Sequence, residues 1–157
     1  MNPHPAISAI LFLCLGTVGA YGQSASKPNI SAYNLPASKL ALQGYDPVTY
    51  IKDGKASKGE AARSATHNGV IYRFSSAENL SAFQADPERY LPAYGGWCAT
   101  AMAKGEKVEV DPKNFKVTNG RLFLFFNAWY GDAKKAWLKD EAGQEKLADA
   151  YWQKISR

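Results

Sequence analysis

The chain has 157 residues, 46% of them hydrophobic and 13% aromatic, which is enough apolar material for one domain with a core and excludes a disordered or fibrous protein. Its net charge of +5 comes from Lys and Arg residues spread along the sequence rather than clustered. That distribution reads as a mildly basic solvated surface, with no nucleic-acid partner.

The N-terminal run from Ala6 to Val18 is apolar, uncharged and too short to span a bilayer, and the small residues Gly19, Ala20 and Gly22 follow it. Residues 1–22 are therefore read as a signal peptide, cut after Ala20 or after Gly22, although no Lys or Arg precedes the apolar run. Bulky Leu13 argues against lipid attachment at Cys14. The expected protein is periplasmic or secreted, with no stable membrane insertion after cleavage. Processing would remove Met1, His4 and Cys14 and leave Cys98, Met102 and His67 as the sole residues of their types. A lone thiol cannot close an intramolecular disulfide, and the same count excludes a tetrahedral Cys/His zinc site within one subunit.

Residues 23–39, rich in Ser, Ala, Asn and Pro, read as a linker, and residues 40–157 as the domain. Two Asn-Gly pairs, Asn68-Gly69 and Asn119-Gly120, predict hairpins. In the first, Val70, Tyr72 and Phe74 alternate with Ile71 and Arg73. In the second, Leu122 to Phe126 reads as a strand buried on both faces. Between them, Ser75 and Glu78 have capping-box spacing for a helix that Asp86-Pro87 closes. A second short helix is expected from Trp97 to Lys104, after Gly95-Gly96. The C-terminal third reads as one or two amphipathic helices broken around Gly143. Strands and helices segregate, so the fold class is α+β: a small antiparallel sheet of two hairpins packed with short helices. No internal repeat of useful length is evident.

Cys98 follows two glycines that allow a tight turn, which places its thiol near a helix N-terminus where amide N–H groups favour a thiolate. Met102 lies one turn later, so both sulfur atoms project from one helix face. Soft ligands of this kind select monovalent copper. His67, beside the Asn68-Gly69 turn, is the third candidate ligand and would have to be brought to Cys98 by the tertiary fold. A buried hydrophobic role for Cys98, a core-filling role for Met102 and an exposed role for His67 are the plainer readings of the same residues. Asp46, Asp53, Asp86 and Asp111 adjoin Pro or Gly and read as turn residues. No phosphate loop, dinucleotide fingerprint, serine elbow or zinc-helix pattern is present.

The ordered series Gly44-Tyr45-Asp46-Pro47-Val48, Tyr72-Arg73-Phe74-Ser75-Ser76, Phe83-Gln84-Ala85-Asp86-Pro87-Glu88-Arg89-Tyr90 and Tyr94-Gly95-Gly96-Trp97-Cys98-Ala99 resembles the YHS domain, in its exported single-domain bacterial branch, over residues 40 to 155. The resemblance implies a small α+β domain from a family that also occurs beside metal-handling modules. In its metal-associated members, cysteines stand where this chain has Thr49, Ser75 and Asn79, so that site does not carry over. The leading expectation is an exported protein that binds a soft metal such as copper at Cys98, with Met102 or His67, and meets a metal-handling protein partner. Two alternatives are a thiol enzyme with Cys98 as nucleophile and His67 as base, and a non-catalytic ligand or protein interaction module. In the last, Tyr45, Tyr50, Tyr94, Trp97 and Trp129 would line an aromatic recess.

Overall fold

The computed structural model describes residues 28–157; the expected signal peptide lies outside them. Asp46 caps helix α1 (Pro47–Asp53) by accepting the Val48 N–H at 2.9 Å, with Pro47 preset for the first turn. Strands β1 (Glu60–His67) and β2 (Val70–Phe74) form the first hairpin and lead to helix α2 (Ala77–Ala85). After two short 3-10 turns comes helix α3 (Ala99–Met102), then a second hairpin of β3 (Asp111–Thr118) and β4 (Arg121–Phe125). A two-residue-per-strand hairpin, β5 (Asn127–Ala128) with β6 (Gly131–Asp132), precedes helices α4 (Ala133–Trp137) and α5 (Glu141–Ile155). The α+β class expected from the sequence is the class found, and both Asn-Gly pairs are the hairpin turns, with Asn68 and Asn119 at positive φ.

Although the sequence shows no repeat, the backbone geometry does. The segment from Leu40 to Ala85 and the segment from Pro92 to Trp137 share one plan. Each opens with a left-handed 3-10 turn, Ala41–Gly44 or Ala93–Gly96. Tyr45 or Trp97 follows, and then a cap residue, Asp46 or Cys98, begins a short helix. Asp46 donates its N–H to Ser57 O at 2.8 Å, and Cys98 donates to Val108 O at 3.0 Å. Each hairpin carries its register shift at the same place, Glu60/Ser64 and Asp111/Phe115. Leu40 bridges Ile71 in parallel just as Pro92 bridges Leu122. Few side chains are shared between the halves beyond the turn residues, because what repeats is backbone geometry.

β4 divides two cores, which explains its burial on both faces. Leu122 and Leu124 pack with Val48, Tyr72, Phe74 and Phe83, whereas Phe123 and Phe125 pack with Met102, Trp137 and Ala148. Burying each large apolar side chain of this kind contributes about 1.5–3 kcal/mol. Helix α5 is further tied to β3 and β4 by ion pairs from Lys116 to Glu141 and from Arg121 to Glu145 and Asp149.

Three boundaries differ from expectation for local reasons. Helix α2 is capped by Ser76, which accepts the Asn79 N–H, rather than by Ser75, because Ser75 is already bonded to Asp46. The C-terminal break falls at Leu138–Asp140 and not around Gly143. Gly143 sits in the first turn of α5, where its N–H donates to the Asp140 cap at 3.0 Å and an added Cβ would strike that carboxylate. Residues 28–39, inside the expected linker, lie against the domain: Ala32 is buried, and its carbonyl accepts the Trp97 Nε1–H at 2.7 Å.

Candidate functional site

Asp46 was read as a turn residue and is instead fully buried. Its Oδ1 accepts the Val48 N–H, and its Oδ2 accepts three donors: the Ser75 N–H at 2.8 Å, the Ser75 hydroxyl at 2.7 Å and Asn79 Nδ2 at 2.8 Å. The Thr49 hydroxyl donates to the Asp46 backbone carbonyl at 3.0 Å. Thr49, Ser75 and Asn79 are the three positions at which the resemblance places cysteines, and all three converge on Asp46, Thr49 at its backbone carbonyl and the other two at its carboxylate. Taking a carboxylate out of water costs several kcal/mol, and charge-assisted hydrogen bonds offset it. The cluster is thus a closed polar staple joining α1, the end of β2 and α2. It offers no sulfur to a soft metal, and its donors are engaged within the fold.

Cys98 stands near a helix N-terminus, as expected, but as the N-cap of α3 and not within the helix, and it is only 1% exposed and makes no capping bond. The helix is four residues long, from Ala99 to Met102, against the expected Trp97 to Lys104. Met102 is fully buried against Phe123, Phe125 and Trp137. His67 is elsewhere. Its Nε2 lies 2.9 Å from Glu88 Oε1 and 3.0 Å from Asn68 Nδ2, and its ring meets Phe83 edge-on. The fold therefore keeps Cys98 and Met102 together in one turn, while the hydrogen-bond partners of His67 are Glu88 and Asn68 and not the thiol. Among the described residues no group of three or more His, Cys, Asp or Glu side chains is placed to hold a metal ion.

The expected aromatic recess is not assembled from its five residues. Tyr45, Tyr50 and Tyr94 are buried in the cores, and Trp129 is 96% exposed. Burial pushes the Tyr50 hydroxyl well above its usual range, and it donates to Pro112 O at 2.8 Å. Burial, reinforced by the Asp149 carboxylate, does the same to Tyr94, which donates to Asp149 Oδ1 at 3.0 Å. Both phenols stay protonated at neutral pH and serve as anchors.

A different recess, of about 390 Å³, opens between the two halves. Leu35 and Pro36 form one wall, Leu40, Leu42 and Gln43 a second, and Trp97 with Val110 a third. Asn34, Gly96 and Glu109 complete the lining. The Asn34 amide donates to Gly96 O and the Gln43 amide to Val110 O, both at 3.2 Å, so the two polar side chains are fixed by the backbone of the second half. Leu42 and Gln43 are held at φ 54° and 51°, a region that non-glycine residues rarely occupy and that concentrates at ligand clamps. Sequence reasoning missed this site because its walls come from three separated segments. The one local signal was Trp97, which it did single out.

The chain matches no model of a known protein family, and comparison with characterised proteins and with solved structures found no match.

Proposed function

We propose that this chain is an exported binding module of the YHS type that works without catalysis, taking a small ligand or a partner segment into the recess between its two halves. The observation that carries the reading is the recess itself, mainly apolar, with a few fixed polar groups and a strained wall at Leu42 and Gln43. The convergence of Thr49, Ser75 and Asn79 on Asp46 supports the YHS resemblance. Its closed hydrogen bonding favours a structural use of those positions in this chain. Titrating indole into isotopically labelled protein tests the reading. Saturable shifts confined to Leu35, Leu42, Trp97 and Val110, abolished in Pro36→Trp, support it. Shifts absent, or unchanged by that filling substitution, would overturn it.

Soft-metal binding is the second reading, favoured by one observation: Cys98 and Met102 share a single helical turn. It asks more of the molecule, because both residues are buried and His67 is engaged with Glu88. Copper content of anaerobically purified protein, compared with Cys98→Ala, decides it. Equal content in the two removes Cys98 as a ligand. The thiol-enzyme reading has less support, since Cys98 is buried and the neighbours of His67 Nε2 are Glu88 and Asn68.

A further inference from the structure

The second half of the repeat carries an element that the first half lacks. Where β2 runs through Ser75 and Ser76 directly into α2, β4 runs into the β5–β6 hairpin before α4. The tip of that hairpin is Trp129-Tyr130, 96% and 67% exposed, the largest apolar side chains so placed among the described residues. Their rings meet edge to face with centroids 5.2 Å apart, and Tyr130 rests on Phe126 at 5.7 Å. The tip is thus braced by its own base.

The carboxylates around the hairpin are hydrogen-bonded within the fold: Asp132 accepts from Asn114 Nδ2 at 2.7 Å and from the Lys134 N–H, while Asp111 accepts from the Lys113 N–H and Asn127 Nδ2. Lys113 and Lys135 are exposed, and among the described residues neither forms an ion pair. Trp and Tyr are the side chains that settle at the headgroup level of a bilayer, with an apolar ring inward and a polar edge outward. Exposed lysines on the neighbouring elements, Lys113 on β3 and Lys135 on α4, add attraction to anionic lipid, about fivefold in binding for each near the surface. A projecting tip, in contrast to a flat or concave patch, suits insertion between headgroups.

We infer that the β5–β6 hairpin is a peripheral docking element that places Trp129 and Tyr130 in the interfacial layer of an anionic lipid bilayer. It is independent of the recess. Among the described residues no helix is long and apolar enough to cross a membrane, so attachment through the hairpin is superficial and reversible.

The test uses residues 23–157, which include the whole described fold, sedimented with vesicles of phosphatidylcholine alone or with one third phosphatidylglycerol. Binding is expected to the anionic vesicles, at least tenfold weaker in Trp129→Ser/Tyr130→Ser, about fivefold weaker in Lys135→Glu, and reduced by salt. The exposed substitutions should leave the circular dichroism spectrum and melting temperature unchanged, so lost binding cannot be put down to unfolding. Failure to sediment, or equal sedimentation of the doubly substituted protein, would overturn the inference. Concentration-dependent dimers that vanish on the same substitutions, without lipid binding, would reassign the tip to self-association.

Discussion

The two halves of the repeat put opposite chemistry at the same backbone position. In the first, the cap residue is Asp46, and four donors from α1, Ser75 and Asn79 converge on its carboxylate. In the second, the cap residue is Cys98, buried and with no side-chain capping bond, and the helix it opens packs Ala99 and Met102 into an aromatic core. The fold fixes a buried cap at each place, and the neighbours decide whether it is a charge or a small hydrophobe. A second contrast lies in the left-handed turns. Gln43 and Gly95 occupy equivalent positions at φ 51° and 59°. The first can carry a side chain because the recess is open there. At Gly95 a Cβ would lie 2.8 Å from both Tyr33 Cγ and the Trp152 ring, so only glycine lets the N-terminal segment and α5 close over the turn.

The comparison can be broken most severely by removing the charge from one cap and adding one to the other. Asp46→Ala would leave buried donors without an acceptor and is expected to cost about 3–5 kcal/mol in urea unfolding. Cys98→Asp should cost a similar amount by placing a carboxylate where no donors wait. If either substitution proves mild, the halves are less specialised than their geometry indicates. Gly95→Ala is next, at about 2 kcal/mol from positive φ and overpacking combined, whereas Gln43→Gly should lie within about 1 kcal/mol of neutral. Smallest is Cys98→Ala, expected to lower stability by only about 1 kcal/mol, since a small hydrophobe is trimmed.

Acid sharpens the contrast further, because the titrating groups anchor the second half. The Asn114 amide holds Asp132 below the usual carboxylate range, and hydrogen bonds from Arg121 do the same for Asp149. Burial by itself would raise Glu141, but bonds from Lys116, Thr118 and Trp137 outweigh it and leave that carboxyl low. A folded-state pKa below the unfolded value gives stability that is complete above the unfolded value of about 4 and lost as pH falls through the folded one. Stability should therefore be flat from neutrality to about pH 5 and decline below about pH 4. Arg121→Ala should flatten that decline, which thermal melts across pH will measure.

Much of the fold was legible in the sequence. Asn68-Gly69 and Asn119-Gly120 announced both hairpins, and Val70, Tyr72 and Phe74 showed which face of β2 is buried. The five consecutive apolar residues from Leu122 to Phe126 announced a strand with two covered faces. Helix α1 was legible too, in Asp46 followed by Pro47, but the pair was read as a turn because seven residues give too little periodicity to register. The capping-box spacing of Ser75 and Glu78 misled by one residue, since it could not show that Asp46 would claim the Ser75 hydroxyl. The repeat stayed hidden because positive φ at Leu42, Gln43 and Tyr94 has no sequence signature in non-glycine residues.

The sequence by itself determined the α+β class, the hairpin positions and the scarcity of soft ligands, since turn chemistry, alternation and residue counts are local properties. Only the tertiary structure decided that Asp46 is a buried hub, that Cys98 is enclosed, that His67 meets Glu88 and Asn68, and that a recess opens between the halves. Those facts depend on which distant segments meet. The free energy that closes such contacts comes from burial and hydrogen bonding across β4 and around Asp46, where no single stretch of chain holds both partners.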